Sequence, residues 1–144
     1  MSLQLIDAVQ SALKTDTELM SMLKLTSSSS PDEVVKRFTK GMEPEITVSK
    51  DTIPHICQYV MPGRYAVNPL VFEGKFCIDF YGKTAREAKL LFERSFKILH
   101  DRRLTAQGFA SYLCVLTYDT DFATGIQGAK GYKAIFDVDY LRMN

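Results

Sequence analysis

The sequence predicts an α+β fold, in which a mostly antiparallel sheet of four or five strands carries one long helix across one face, preceded by an N-terminal helix. Two observations support this class of fold. A strand pattern over residues 70–81 leads directly into a helix pattern over residues 85–99. Further strand patterns lie before and after that helix, and no unit of sequence repeats. The 144 residues fit one domain, 1–144, with a single core.

The N-terminal residues predict two helices separated by a brief break. Apolar residues recur at helical spacing between Leu5 and Leu13. Thr15 and Glu18 have the spacing of a capping box, in which each side chain binds a backbone N–H that the other leaves unpaired. The second helix is therefore predicted to begin directly after Thr15, and its first apolar residue is Leu19.

Residues 26–52 are predicted to form a polar and partly helical insert within the single domain. The serine-rich start of this segment has few apolar side chains to bury. Ser30 and Pro31 have the order of an N-cap followed by a first-turn proline, which predicts a short amphipathic helix that ends near Gly41. Residues 45–49 have the pattern of an extended segment.

The strand over residues 70–81 and the helix that follows it are the strongest patterns in the chain. The apolar face of the strand carries Leu70, Phe72, Phe76, Ile78 and Phe80. Thr84 and Glu87 predict a capping box at the start of the helix. The buried side of the helix is predicted to carry Ala85, Ala88, Leu91, Phe92, Ser95, Phe96 and Leu99. We expect this helix to lie over the apolar face of the sheet.

Three further strands and two long loops complete the predicted domain. The strands are residues 53–61, 109–118 and 132–140. Residues 109–118 are apolar on both faces, as expected of an interior strand or of one whose second face is also covered. The loops are residues 62–69, which are bounded by prolines, and the glycine-rich residues 119–131. Loops of this length in a small domain are usually functional or disordered.

The bulk composition is that of an ordinary globular protein. The net charge is +1 and 46% of the residues are hydrophobic, so there is no strong electrostatic argument for binding nucleic acid or an anionic membrane. No apolar run has the length of a membrane span, and the N-terminus lacks the pattern of a secretion signal. No membrane partner is predicted, and the protein is expected to stay in the cytoplasm in which it is made.

No arrangement of residues predicts an enzyme, a metal site or a cofactor. His55 and His100 are the only histidines, and each is expected to be structural or solvated. Histidines at helical separation and Cys-x-x-Cys pairs are both absent. The three cysteines, Cys57, Cys77 and Cys114, are far apart in strand-like segments, so we predict buried, reduced thiols.

Two other patterns near the C-terminus are better explained without a ligand. The glycine-rich residues 125–131 lack the lysine spacing of a phosphate loop, and a strand follows them where a phosphate site needs a helix. The nearby aspartates lack the glycine and glutamate of a calcium loop. They are predicted to be solvated, and they are Asp119, Asp121, Asp137 and Asp139.

A small nucleic-acid-binding or regulatory α+β domain is the alternative function. Basic residues follow the long helix, but Glu87 and Glu93 interrupt them, which is typical of a solvated helix face. Tyr59, Tyr81 and Tyr112 lie on predicted strands and have rings that can stack on bases, although the aromatic-glycine signature of RNA-recognition sheets is missing. Specific nucleic acid is therefore not predicted as a partner.

Two features predict contacts with other proteins. Leu90 falls on the polar side of the long helix, where a monomer gains nothing from a leucine. The two predicted loops each carry apolar and basic side chains at positions with no predicted core role. The resulting candidate interface residues are Arg64, Tyr65, Val67, Leu90, Phe122, Ile126 and Lys130.

The order of the elements resembles the tail-completion or tail-terminator (head–tail joining) proteins of long-tailed bacteriophages. The resemblance is carried by the N-terminal helix over residues 5–19, the strand entry at 54–56 and the strand over 76–81. It continues in the helix that ends with residues 96–99, and in the closing alternation over 132–138. It covers nearly the whole chain except the insert, which is longer than expected for that family.

The resemblance implies a structural, non-enzymatic virion protein that needs no cofactor. Proteins of that family form a ring, commonly of six subunits, that caps the tail tube and supplies the surface to which the filled head attaches. The implied partners are further copies of the chain, a tail-tube protein and a head connector protein. The implied location is the virion, assembled in the cytoplasm of a host bacterium. Leu90 would then lie at a contact between neighbouring subunits.

Overall fold

The computed structural model describes residues 2–42 and 48–141, which form four helices and six strands. The elements in chain order are α1 (Ser2–Lys14), α2 (Thr17–Met22), α3 (Pro31–Arg37), β1 (Phe38–Lys40), β2 (His55–Tyr65), β3 (Val71–Gly82), α4 (Ala85–Leu99), β4 (Arg102–Ala106), β5 (Phe109–Phe122) and β6 (Lys130–Leu141). This is the mixed α+β architecture that the sequence predicts.

The six described strands form one sheet in the order β1-β2-β3-β6-β5-β4. β1 runs parallel to β2, and the other neighbouring pairs are antiparallel. The sequence predicts only four or five strands, and the two that bring the count to six are short edge strands. β1 lies where the third helix was expected to continue to Gly41, and β4 occupies residues 102–106, for which the sequence predicts no strand. The helix stops early because Phe38 is buried and pairs with Ile56 of β2.

The hydrophobic core lies between the sheet and two helices. The sequence predicts one long helix on this face of the sheet, but α1 and α4 share it. Phe76 of β3 stacks on Phe136 of β6 with ring centroids 5.2 Å apart, and both are fully buried. The apolar parity predicted for β3 is confirmed for Phe76, Ile78 and Phe80. On α4, the fully buried residues are Ala88, Leu91, Ser95 and Leu99, whereas Ala85 is exposed.

The helix caps agree with the sequence at α3 and differ at α2. Ser30 and Glu33 form the complete capping box of α3. At α2 the N-cap is Asp16, which accepts a hydrogen bond from the N–H of Leu19 at 2.8 Å. The predicted box with Thr15 is therefore wrong, because the Thr15 hydroxyl instead donates back to the carbonyl of Ala12. The carboxylate of Asp16 therefore caps α2 and also forms an ion pair with α4.

The cap of α4 is half of the predicted capping box. The Thr84 hydroxyl accepts from the N–H of Glu87 at 3.1 Å. The Glu87 carboxylate accepts from the N–H of Lys83, one residue before the cap, at 3.2 Å. Further along the helix, Arg94 forms an ion pair with Asp16 at 2.7 Å, and this pair lowers the pKa of Asp16. The N-terminus of α2 is therefore fixed to the middle of α4.

The segment predicted as an insert contributes α3 and β1, and a buried histidine attaches both to the sheet. His55 Nδ1 donates to the carbonyl of Lys36 at 2.7 Å, and Nε2 accepts from the hydroxyl of Thr39 at 2.9 Å. Burial lowers the pKa of His55, so the ring is neutral in this position. The extended segment predicted over residues 45–49 lies mostly outside the described residues.

Both long loops are shorter than the sequence predicts, because the strands continue into them. β2 runs to Tyr65 and β3 starts at Val71, so the turn of this hairpin is residues 66–70 rather than 62–69. β5 runs to Phe122 and β6 starts at Lys130, so the second turn is 123–129 rather than 119–131. In the sequence, the alternating polar residues at these strand ends predict a loop. In the structure, they lie on the solvent face of paired strands.

The cysteine prediction is confirmed, since Cys57, Cys77 and Cys114 are all buried and free. The second histidine, His100, is also structural. Its Nδ1 accepts from the N–H of Leu116 at 3.1 Å, which fastens the end of α4 to β5.

Candidate functional site

The predicted interface residues lie in three separate places, and the structure does not bring them together. Arg64, Tyr65 and Val67 lie at the β2–β3 hairpin tip. Phe122, Ile126 and Lys130 lie at the β5–β6 hairpin tip, and Leu90 lies on α4. The two tips are at opposite ends of the sheet, because Val71 pairs with Leu141 at one end and Gly82 pairs with Lys130 at the other. The 12 residues of β3 separate them by roughly 40 Å, at about 3.3 Å per residue.

The β2–β3 tip is the more exposed of the two hairpin tips. Arg64 forms an ion pair with Glu73 at 2.7 Å on the adjacent strand. Tyr65 packs edge-on against Phe72 with ring centroids 5.2 Å apart, and Val67 is fully exposed in the turn. This tip therefore presents an apolar side chain that makes no contribution to the core.

At the β5–β6 tip, two of the three predicted residues have contacts inside the chain. Phe122 packs edge-on against Tyr81 with ring centroids 5.6 Å apart, and Lys133 lies over its ring. Ile126 packs against the small apolar cluster of Val48, Ile53 and Ala129. Lys130 is exposed at the start of β6.

The face of the sheet opposite α1 and α4, here called the outer face, contains an ion pair between a buried aspartate and a partly buried lysine, which the sequence did not predict. Lys133 Nζ lies 2.7 Å from Asp79 Oδ1 and 2.6 Å from Tyr59 Oη. The Tyr59 hydroxyl donates to the second oxygen of Asp79 at 3.2 Å, and the Cys77 Sγ lies 3.6 Å from Lys133 Nζ. These four residues define the ion-pair half of the outer face. Direct pairing of Asp79 with Lys133 across β3 and β6 places the charges together.

The protonation states of the ion-pair half do not suit nucleophilic or general-base chemistry. Burial alone would lower the pKa of Lys133, but hydrogen bonds to Asp79 and Tyr59 raise it above its ordinary value. Burial raises the pKa of Tyr59, and raises that of the Cys77 thiol to about 11. At neutral pH the amine, the phenol and the thiol therefore all hold their protons, whereas a nucleophile or a base must give its proton up. The arrangement is that of a structural ion pair.

The other half of the outer face, here called the open half, is a groove between the β2–β3 hairpin and β5. The groove has a volume of about 650 Å³. Its apolar lining is Tyr112, Leu113 and Val115, and its charged lining includes Arg64, Glu73, Lys75, Asp137 and Asp139. The three apolar side chains, together with Tyr118 further along β5, are between 40% and 54% exposed. Apolar side chains gathered in a concave surface are typical of a contact with another molecule.

Two β-bulges in β5 place these apolar side chains on the outer face. Ser111 pairs with Tyr140 and Cys114 with Val138, so three steps along β5 match two along β6. A second shift lies between Leu116 and Tyr118. Each bulge adds a residue that cannot follow the alternation, and the extra residue is exposed. The sequence signal was available, because residues 109–118 are apolar on both faces, which predicts an interior strand or a strand whose second face is also covered. β5 is interior, between β6 and β4, and its outer face stays exposed in the described part of the chain.

Two of the acidic side chains in the open half have a cation partner, and a third does not among the described residues. Arg64 pairs with Glu73, and Lys75 pairs with Asp137 at 2.9 Å. Asp139 lies between the two acids and, among the described residues, has no cation partner. Partial burial and the negative charges of Glu73 and Asp137 raise the pKa of Asp139. The groove therefore has an acidic residue that a cation from outside the chain would stabilise.

The remaining candidate ligand sites have ordinary structural roles. Asp119 accepts a hydrogen bond from the Tyr132 hydroxyl, and Asp121 forms an ion pair with Lys89 at 3.6 Å. Among residues 2–42 and 48–141, no group of three His, Cys, Asp or Glu side chains is placed to hold a metal ion. The loop at 123–129 leads into a strand, as predicted, and not into a helix N-terminus.

The three tyrosines proposed as base-stacking residues do not form one platform. Tyr59 is buried in the ion-pair half, and Tyr81 is half-buried against Phe122. Tyr112 alone of the three is exposed. None of the helices that the structure describes is long and apolar enough to cross a membrane.

Comparison with known proteins identifies the fold. No protein-family model matches the sequence, and no curated protein matches it. A solved structure does match: a chain from the virion of a native gene transfer agent (GTA) particle, with a TM-score of 0.67. The match covers 96% of this chain and 96% of that chain, with 12% sequence identity. The two chains therefore share one fold from end to end.

Proposed function

We propose that this protein is a structural component of a phage-like particle, in which it caps the tail tube as a ring and provides the surface to which the head attaches. The observation that carries the proposal is the end-to-end fold match to a chain of a gene transfer agent virion. The order of elements that resembles tail-terminator proteins supports the finer assignment.

The shape of the subunit suits a connecting role. Its two hairpin tips lie roughly 40 Å apart at opposite ends of one sheet, given about 3.3 Å per residue. β3 and β6 pair without a register shift from Val71–Leu141 to Gly82–Lys130, which makes the path between the tips stiff. We propose that one tip contacts the tail-tube protein and the other the head connector protein.

The residues proposed for these contacts are those predicted from the sequence. Val67 and Tyr65 at one tip, and Lys130 at the other, are exposed. Phe122 and Ile126 act by shaping the second tip, because they pack within the chain. Assembly would take place in the cytoplasm of the host bacterium, and the mature location is the virion.

The direct test is assembly with a tail-tube protein from the same phage or prophage. The full-length chain and the tube protein are mixed, and their masses are measured by size-exclusion chromatography with light scattering at several concentrations. We expect a complex that contains a ring of this chain, visible by electron microscopy at the ends of tubes. A chain that stays monomeric and does not bind the tubes would contradict the proposal.

A second test uses the particle itself. In particles made without this protein, we expect tails that lack a defined end and filled heads that carry no tail. Particles that assemble normally without it would exclude a role as terminator. The Val67→Asp variant should weaken tube or head attachment while leaving the fold intact, because Val67 is fully exposed.

A further inference from the structure

The outer surface of α4 and the open half of the outer face have complementary chemistry. On α4, Leu90 is 40% exposed in a shallow depression lined by Arg86, Lys89 and Glu93. Lys97 lies one turn beyond Glu93 on the same side. Neither Arg86 nor Lys97 has an ion-pair partner among the described residues. This surface therefore combines one apolar side chain with an excess of positive charge.

The open half combines apolar side chains with an excess of negative charge. Leu113 and Val115 are 50% and 40% exposed in the groove. Of the charged residues that line it, Glu73, Asp137 and Asp139 are acidic, while Arg64 and Lys75 are basic. Asp139 is the acid without a cation partner among the described residues. A leucine flanked by unpaired cations is the complement of this surface.

The two surfaces lie on opposite sides of the same sheet. α4 packs on the inner face through β3 and β6, where Phe76 and Phe136 point. Lys75 and Asp137, next to them in the same strands, point outward into the groove. One subunit therefore cannot bring its own α4 into its own groove. Contact between these surfaces requires two copies, and each copy keeps one unused surface for a further copy.

We propose that α4 of one copy docks into the outer groove of the next, with Leu90 against Leu113 and Val115 and with Arg86 or Lys97 near Asp139. Such a head-to-tail contact is heterologous, and it closes into a ring or continues as a filament. The inference rests on the proposed function in one respect, because that function requires a ring. The pairing of the two surfaces follows from their chemistry alone. It assigns Leu90 a partner and explains why the bulges of β5 expose apolar side chains.

The test is chemical cross-linking between single cysteines. The native cysteines are buried, so Leu90→Cys and Leu113→Cys each introduce one accessible thiol. A short bismaleimide is added to each variant alone, to an equal mixture, and to the double variant. We expect no covalent dimer from either variant alone, a dimer from the mixture, and a ladder of higher multimers from the double variant. The control is Leu90→Cys mixed with Val67→Cys, which should give no dimer.

Charge-reversal variants test the ionic part of the contact. In the double-cysteine background, Asp139→Lys and Arg86→Glu should each lower the cross-linked fraction at least about fivefold, because like charges then face each other. Combining both reversals in one chain should restore it, and raising the salt concentration should lower the yield of the original pair. Melting curves of all variants should match that of the unmodified chain, because every changed residue is exposed.

The outcomes separate the inference from the proposed function. Dimers of Leu90→Cys alone, or no dimers in the mixture at high protein concentration, would overturn the head-to-tail contact. If the chain still forms rings on tail tubes in that case, the proposed function stands and another surface makes the ring. If the groove is instead covered by the tail-tube protein, tube protein should block labelling of Leu113→Cys while the mixture gives no dimer, which also overturns the inference. A ladder with no binding to tubes would support the contact and contradict the tail-terminator function.

Discussion

The two halves of the outer face are built on the same strands but differ in what completes them. In the ion-pair half, Asp79 of β3 faces Lys133 of β6, and Tyr59 adds a hydroxyl to both. In the open half, Lys75 faces Asp137 on the same two strands, and the pair is more exposed. The ion-pair half satisfies its polar groups within the chain. The open half leaves apolar side chains and one acid for a partner.

One face of a sheet can therefore be completed within the chain in one half and stay open to solvent in the other. Both halves have a lysine facing an aspartate across β3 and β6, and opposite charges directly across a ladder stabilise it locally. Burial then makes the same pair far more important in one half than in the other. Four measurements can test whether the two halves differ in this way.

Removing the acid of the Asp79–Lys133 pair should have the largest effect. Asp79→Ala leaves the Lys133 amine without its carboxylate in a partly buried site, so we expect the free energy of unfolding to fall by about 2–3 kcal/mol. The matched control is Asp137→Ala, which also deprives a lysine of its partner. Lys75 is exposed to water, so that loss should stay below about 1 kcal/mol. Urea unfolding followed by circular dichroism measures both, and equal losses would contradict the distinction.

A glycine of β3 directly behind the open half, on the core side of the sheet, should give the second effect. A Cβ at Gly74 would lie 2.8 Å from the carbonyl oxygen of Val138 and 2.7 Å from the Tyr140 ring. Because the backbone oxygen cannot move away cheaply, Gly74→Ala should destabilise the fold by about 1–3 kcal/mol. Thermal unfolding is the measurement, with Lys75→Ala as the neighbouring control. A melting temperature equal to that of the control would show that β3 and β6 are not packed this closely.

Acid should destabilise the edge of the sheet that α3 and β1 form. The pKa of His55 is lowered by burial, so below about pH 6.5 the unfolded chain binds this proton more readily than the folded chain. The free energy of unfolding should therefore decline as the pH falls from 6.5 to 5. Asp16, whose pKa is lowered by its hydrogen bond to Arg94, should add a further loss only below about pH 4.

The His55→Asn variant separates these contributions. It keeps a donor for the Lys36 carbonyl but cannot titrate, so its stability should be lower at pH 7 and nearly flat between pH 6.5 and 5. The His100→Asn control keeps His55 and should keep the decline. Stability is measured by urea unfolding at each pH. A decline that survives in His55→Asn would assign the effect to other groups.

The smallest effect on stability is expected in the apolar lining of the groove. Leu113→Ser should change the free energy of unfolding by less than about 0.5 kcal/mol, because the side chain is half exposed. Leu104→Ser is the contrasting control on the neighbouring strand, since Leu104 is buried and its loss should be severe. A large loss for Leu113→Ser would mean that the open half contributes to the fold and is not reserved for a partner.

Much of the fold could be predicted from the sequence because its signals are local. The alternation of Phe76, Ile78 and Phe80 and the cap at Thr84 act within a few residues, so they are visible without the rest of the chain. β1 is too short for a periodic signal, and it exists only because Phe38 pairs with Ile56 of a distant strand. The hairpins are longer than predicted for the same reason, since pairs such as Arg64 with Glu73 are set by strand register.

The candidate site was less predictable than the fold. Leu90 was found because a leucine breaks the polar pattern of a helix. The sequence did not single out Leu113 and Val115, because their exposure depends on two bulges. The ion pair of Asp79 with Lys133 was hidden by 54 residues of separation and by the polar character that each residue shares with solvated positions.

The uninterrupted β3–β6 ladder also determines how a subunit would respond to force. A pull between the two hairpin tips enters β3 at Val71 and β6 at Lys130, which lie at opposite ends of the ladder. The two strands are then loaded in shear, so the hydrogen bonds between Val71–Leu141 and Gly82–Lys130 resist together instead of opening one after another. A subunit that binds one partner at each tip, as proposed above, would gain mechanical strength from this arrangement without any additional contact.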